Sequence, residues 1–290
     1  YFTDVEICKD IVERIDLSNA DIIEPSFGTG NVLRALKNIK NHKIGIELDE
    51  EIYNENLKDG FTDLLNMNFY DFHYKSQNRL VFIGNPPYRT PAYSLRTHKN
   101  FISKLTKKYG VLGIREEAVF FILHTLDIIF SNNVKDSEIH YIVPLSLVKN
   151  NSKFFTVFKC FLKKHCQFLG VRTIAGTEFE NVVQDLICLS LRVPLQDFAP
   201  QEFVLVDGRD VALNDFLCLE QNDVIPFQKI FKKTYLGSVP CESLLMSVDG
   251  ESKESFQNRL IRIISDKNIT ADKLYSLLQY NGKFHLKVFD

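Results

Sequence analysis

The chain predicts an α/β fold, a doubly wound and mostly parallel sheet, followed by a small C-terminal α/β or helical appendage. Three observations carry that expectation. Short apolar runs of strand length alternate with stretches of helical periodicity as far as residue 193. Two of those runs end in turns rich in glycine or proline, where a buried strand hands over to the next element. After Pro194 the rhythm weakens, which divides the chain into a domain of residues 1–196 and a region of residues 197–290.

Each element has its own signal. Residues 4–17 place Val5, Ile7, Ile11, Val12 and Ile15 at helical spacing. Residues 20–24 are a short apolar strand stopped by Pro25. Residues 31–39 read as a helix entered from a glycine turn, 43–48 as a second strand and 50–58 as a second helix. The run 80–84 is a buried strand that leads into two prolines. A helix over 116–130, a strand over 140–143, a helix over 153–164 and a strand over 186–193 complete the alternation. Two helical stretches, 252–264 and 271–279, close the chain.

Composition excludes several classes. With 45% hydrophobic and 25% charged residues over 290 positions, the chain can bury a full core. Its most apolar stretch, 118–130, is too short to span a bilayer and holds His124 and Asp127, so no membrane segment is expected. No secretory leader pattern is visible, and a cytoplasmic location is expected. The six cysteines form no CxxC pair and the seven histidines never fall at ligand spacing, so free thiols and no metal site are expected.

The net charge of −2 argues against a strong non-specific nucleic-acid binder, but its distribution is uneven. Residues 89–115 hold seven basic side chains and no acid: Arg89, Arg96, Lys99, Lys104, Lys107, Lys108 and Arg115. Residues 139–177 hold six and no acid: Lys149, Lys153, Lys159, Lys163, Lys164 and Arg172. Two such blocks in an acidic chain point to a localised surface facing a polyanion. Solvated helix faces are the plainer alternative.

The first strand ends in Glu24-Pro25-Ser26-Phe27-Gly28-Thr29-Gly30. Glycines there let the backbone approach a ligand, and in an open α/β sheet ligands lie beyond the carboxyl ends of the strands. The second strand ends at Glu47, whose carboxylate can accept hydrogen bonds from both hydroxyls of a ribose. The turn lacks the full GxGxxG phosphate cradle, so a nucleoside cofactor without pyrophosphate fits best. The more specific signal is Asn85-Pro86-Pro87-Tyr88. The prolines stiffen the turn, the Asn85 amide oxygen and the Pro86 carbonyl can both accept from one substrate NH₂, and an aromatic stands ready to stack on a flat ring.

These motifs, in this order, resemble the amino-methyltransferases that act on DNA adenine, in the subgroup whose cofactor motif precedes NPPY; the resemblance covers about residues 1–193. It implies a Rossmann-like sheet of the class I methyltransferase type and S-adenosylmethionine as cofactor. It implies a cofactor site of Phe2, Thr3, Glu24, Ser26, Gly28, Gly30, Glu47, Asn68 and Phe69, with Asn68 where the family usually carries Asp. Asn85, Pro86, Pro87 and Tyr88 are then catalytic, and Phe179 is similar to the aromatic that sandwiches a flipped base against Tyr88. The basic block places Arg89, Arg96, Lys99, Lys104, Lys107 and Lys108 along a DNA backbone. A specificity subunit, a fused nuclease or a second copy of the chain is the implied protein partner.

The tetrapeptide also occurs in enzymes acting on adenine in structured RNA and on a protein glutamine amide. The basic block favours nucleic acid over protein, and Phe179 favours a flat base over an aliphatic amide. A non-catalytic subunit of a methyltransferase complex is a further alternative, against which the intact glycines, Glu47 and NPPY speak. Pro240-Cys241 resembles the nucleophile of cytosine-C5 enzymes but lies far downstream of the active strands and is set aside.

Overall fold

The computed structural model of the protein describes residues 3–61, 63–88, 92–174, 185–196 and 198–219. Within these, nine strands form one sheet in the order β3-β2-β1-β4-β5-β7-β6-β8-β9. They are β1 (Ala20–Glu24), β2 (Lys43–Glu47), β3 (Leu64–Asn66), β4 (Arg79–Gly84), β5 (Ser137–Pro144), β6 (Gln167–Ile174), β7 (Leu186–Val193), β8 (Phe203–Val206) and β9 (Arg209–Ala212). Strands β3, β2, β1, β4 and β5 are mutually parallel. Strand β7 runs antiparallel between β5 and β6. The expected doubly wound, mostly parallel sheet is therefore present.

The chain leaves β1 for β2 and β3 on one side, then returns across β1 to form β4 on the other. That reversal opens a crevice at the carboxyl ends of β1 and β4, where both predicted motifs lie. All five residues of β1 and all eight of β5 are buried, as strands covered on both faces must be. Side chains alternate between two cores. On one face Ile22, Val81 and Ile83 pack with Ile7 and Ile11 of α1 (Val5–Val12) and Leu33 of α2 (Asn31–Ala35). On the other, Ile23, Leu80 and Phe82 pack with α5 (Lys99–Lys108), α6 (Glu117–Asn132) and α8 (Lys153–His165) through Ile102, Phe120 and Phe158.

Local chemistry sets the helix starts. Asp4 caps α1 by accepting from the Glu6 N–H at 2.8 Å, and Asp49 caps α3 (Glu50–Lys58) through the N–H groups of Glu51 and Ile52. Helix α6 is buried on nearly every side, which is why its sequence shows an apolar run rather than a stripe. No helix among the described residues is long and apolar enough to cross a membrane.

Several elements were not foreseen: β3, β6, the β8–β9 hairpin, α4 (Ser94–Thr97), α5, α7 (Ser146–Lys149) and α9 (Leu213–Phe216). The expected division at residue 197 does not coincide with the end of the sheet. Strands β8 and β9 extend it, and the compact unit runs to Leu219. The helices expected at 252–264 and 271–279 lie outside the described residues.

Candidate functional site

A small, open pocket lies at the carboxyl ends of β1 and β4, lined by Thr3, Glu24, Ser26, Phe27, Gly28, Thr29, Asn31, Val32 and Asn85. Its rim is the turn after β1. Gly28 (φ +54°) and Gly30 (φ +72°) both take the left-handed conformation that side chains disfavour. Beneath the turn lies the Phe27 ring, 3% exposed and packed edge-on against Phe61 at 4.9 Å. A Cβ on Gly30 would stand 2.3 Å from that ring, and one on Gly45 of β2 would meet it at the same distance. Two glycines thus seat one aromatic, and the aromatic supports the turn.

Glu47 closes one side. Its carboxylate accepts from the Gly28 N–H at 2.7 Å and the Asp49 N–H at 2.8 Å. Two used sites leave further lone pairs on the same oxygens, as a ribose diol requires. Asn56 reinforces the turn by donating to the Gly28 carbonyl at 2.8 Å. Glu24 forms the floor at 2% exposure, accepting from the Leu33 N–H at 3.3 Å. Burial pushes its carboxyl well above the usual range; the Leu33 N–H opposes that shift and the negative Glu47 adds to it. A buried carboxyl of this kind, beside backbone N–H groups and left-handed glycines, fits a ligand with a cationic end and a ribose. S-adenosylmethionine has both.

Asn85 stands opposite. The Ser26 hydroxyl donates to its backbone carbonyl at 2.9 Å, which links the β1 turn to the end of β4. The Asn85 amide donates to the Thr3 hydroxyl at 3.1 Å, and Asn31 donates to the Thr3 carbonyl at 2.7 Å. Asn85 Oδ1 accepts from the Tyr88 hydroxyl, which also reaches the Ile142 carbonyl at 3.1 Å. The structure therefore brings Thr3, Glu24, Ser26, Gly28, Gly30, Glu47, Asn85 and Tyr88 to one crevice.

Asn68 and Phe69 sit differently. Asn68 caps the 3₁₀ turn Phe69–Asp71 by accepting from the Tyr70 N–H at 3.0 Å. The Phe69 ring is 3% exposed in the core, 4.9 Å from Phe121 and 4.8 Å from His124. His124 donates from Nε2 to the carbonyls of Phe69 and Phe72 at 3.0 and 3.2 Å, so it pins this turn from below. Phe2, Arg89 and Phe179 lie outside the described residues.

The basic blocks divide. Arg96 lies in the last turn of α4 and Lys99 begins α5, both exposed and close in sequence to Tyr88. Helix α5 then carries its remaining lysines away. Lys108 pairs with Asp127 at 2.5 Å, and Asp127 lies ten residues down α6 from Glu117, about 15 Å along the axis. Since Glu117 contacts Ser94 near the crevice, Lys107 and Lys108 stand toward the opposite edge of the sheet. In the second block, Lys159 is fully buried and donates to the Val148 and Asn150 carbonyls. Lys163 donates to Asn214, Arg172 pairs with Asp10, and Lys149 lies over the Phe216 ring. Most of that block holds the fold together.

Pocket residues not singled out by the sequence are Phe27, Thr29, Asn31 and Val32. Phe27 and Thr29 fell inside the motif as unspecified positions, and Asn31 carried no signal before the Thr3 contact was seen.

The sequence matches no protein-family model and no curated protein. Solved structures do match. One is a candidate class I S-adenosylmethionine-dependent methyltransferase from Listeria monocytogenes, at TM-score 0.52 and 19% identity, covering 70% of this chain and 62% of that one. A second is the methyltransferase subunit of a type I restriction-modification system from Streptococcus thermophilus, at TM-score 0.55 and 14% identity, covering 75% and 51%. A third is a modification subunit of a candidate type I restriction enzyme from Vibrio vulnificus, at TM-score 0.54 and 15% identity, covering 71% and 46%. The chain thus spans between about half and three-fifths of the length of these neighbours. At such identities the likeness concerns the fold, and the fold of this chain is the Rossmann-like class I methyltransferase fold.

Proposed function

We propose that the chain transfers a methyl group from S-adenosylmethionine to the exocyclic N6 amine of adenine in DNA, in a restriction-modification or related system. One observation carries the reading. Asn85, first residue of the NPPY motif, lines the same pocket as the glycine turn and is tied to it through Ser26. A group able to hold an amine therefore faces a site shaped for a ribose and a cationic tail.

Bound S-adenosylmethionine would supply an electrophilic methyl group. Everything else falls to the chain. Glu24 would face the amino acid end and Glu47 the ribose. Asn85 Oδ1 and the Pro86 carbonyl would accept the two protons of the substrate amine and aim its lone pair at the methyl carbon, so that catalysis is positioning and electrostatics. Tyr88 now spends its hydroxyl on Asn85 Oδ1. An incoming amine takes over that acceptor, and the freed ring can stack on a base turned out of the duplex, with Phe179 as its proposed partner. Arg96 and Lys99, exposed and close in sequence to Tyr88, are proposed to meet phosphates there, with Arg89 alongside. That structural neighbours are modification subunits of type I restriction enzymes supports a further recognition element here, as a specificity subunit, a fused nuclease or a second copy.

Transfer of labelled methyl groups to duplex DNA, RNA and protein in parallel tests the proposal. N6-methyladenine in the DNA digest supports it. Label confined to RNA or to protein glutamine overturns it.

A further inference from the structure

Glu117 has no part in the site described above, yet it is 2% exposed and joins two segments that flank the site's motifs in sequence. Tyr70 donates its hydroxyl to Glu117 Oε1 at 2.7 Å. Ser94 donates to Glu117 Oε2 twice, from its N–H at 3.1 Å and its hydroxyl at 3.3 Å. Tyr70 belongs to the turn after β3 capped by Asn68, which the family resemblance assigns to the cofactor; Ser94 opens α4, six residues after Tyr88. Tyr70 and Ser94 are themselves 3% and 0% exposed.

A carboxylate is a costly way to fill such a position, because burying a charge is unfavourable unless several donors compensate. Here three donors do, and the first turn of the 16-residue α6 adds the favourable end of a helix dipole. Two neighbouring links reinforce the same connection. The Ala92 N–H donates to the Arg115 carbonyl at 2.8 Å, and His98 meets Asp71 at 3.3 Å. The turn after β3 and the segment after NPPY are therefore joined through side chains, with the buried Glu117 at the centre and His98–Asp71 beside it, and not only through the sheet.

We propose that Glu117 is a positioning residue that fixes the segment following the catalytic motif relative to the turn after β3. This rests on the methyltransferase reading for its activity readout alone. Glutamine preserves the bridge with one bond reversed: Oε1 accepts from Ser94 and Nε2 donates to the Tyr70 oxygen. Methionine keeps the volume and removes the bridge. Phenylalanine at position 70 cuts only the Tyr70 arm.

The test compares Glu117→Gln, Glu117→Met and Tyr70→Phe by hydrogen exchange at the Ser94 amide in the free protein and by kcat and KM for methyl transfer. Tyr70→Phe, which does not touch Ser94, should speed exchange at Ser94 by several-fold, and Glu117→Met should do so more. Both should lower kcat about tenfold, the scale of one lost buried hydrogen bond, with KM for the cofactor nearly unchanged. Glu117→Gln should restore both readouts. A Tyr70→Phe variant with wild-type exchange at Ser94, or a Glu117→Gln variant no better than Glu117→Met, overturns the proposal. A wild-type protein that transfers no methyl group refutes the methyltransferase reading, and the exchange comparison still decides the role of Glu117.

Discussion

Replacing Gly30 with alanine probes the pocket where its geometry is tightest. Two costs fall on the new methyl group. Residue 30 has φ +72°, and the left-handed conformation costs an L-residue roughly 1–2 kcal/mol. The Cβ would also stand 2.3 and 2.5 Å from two Phe27 ring atoms, and inserting a methyl group into a packed site costs typically about 1–3 kcal/mol. Together they predict destabilisation of about 2–5 kcal/mol, a large part of the ~5–15 kcal/mol that holds a domain folded. Urea unfolding measures the loss. The ring is half of the problem, so adding Phe27→Leu should relieve the clash but not the backbone strain. The double variant should be more stable than the two single losses added together. A Gly30→Ala protein within about 0.5 kcal/mol of wild type, or a double variant additive within that margin, refutes the reasoning.

Three further outcomes follow from charges and burial. Glu24, its carboxyl raised chiefly by burial, binds a proton more tightly folded than unfolded. Its stability contribution is complete below the unfolded value of about 4.3 and is lost as pH rises through the folded one. Glu24→Gln should therefore raise the Tm of the cofactor-free protein at neutral pH and weaken S-adenosylmethionine binding; an unchanged profile of Tm against pH contradicts this. His124 is lowered to about 4, burial being the main cause. Its contribution is present above the unfolded value of about 6.5 and is lost as pH falls toward the folded one. His124→Gln, which keeps a donor for the Phe69 and Phe72 carbonyls, should flatten the acid limb of a Tm profile. Neutralising Lys107 and Lys108 should leave the salt dependence of DNA binding nearly unchanged, whereas neutralising Arg96 and Lys99 should reduce its log–log slope by about one unit per lost phosphate contact. The reverse order would place the DNA elsewhere.

Which features were legible in the sequence follows from where the information lay. Strands β1, β4 and β7 announce themselves because each carries a short, mostly apolar run and a proline follows soon after. Strand β6 hides because Gly170 and a register shift between Phe168 and Gly170 interrupt its alternation, and several of its residues are only half-buried. Strand β3 has three residues, too few for any period. Helix α5 shows in the sequence chiefly as a charge block, which masks the amphipathic spacing of Ile102 and Leu105 beneath it. In the site, the motifs gave residue types at the right turns, because the glycines and prolines act through local backbone geometry. Partnerships were not readable. That Ser26 holds the Asn85 carbonyl, or that Glu117 joins Tyr70 to Ser94, depends on which strands become neighbours. Charge blocks misled for a related reason. Consecutive lysines on a helix spread around and along it, and Lys159 is consumed by carbonyls that only the fold brings near.

The account rests on a division of labour in one crevice: the β1 turn holds the cofactor and Asn85 holds the substrate amine. Calorimetric titration of S-adenosylhomocysteine into the wild type, Asn85→Ala and Gly28→Leu tests it most directly. The prediction is binding to the wild type, affinity within about threefold for Asn85→Ala, which loses the side chain serving the substrate amine but keeps the turn's backbone tie to Ser26, and no measurable binding to Gly28→Leu. A wild type that binds no cofactor, or equal loss of affinity in the two variants, would contradict it.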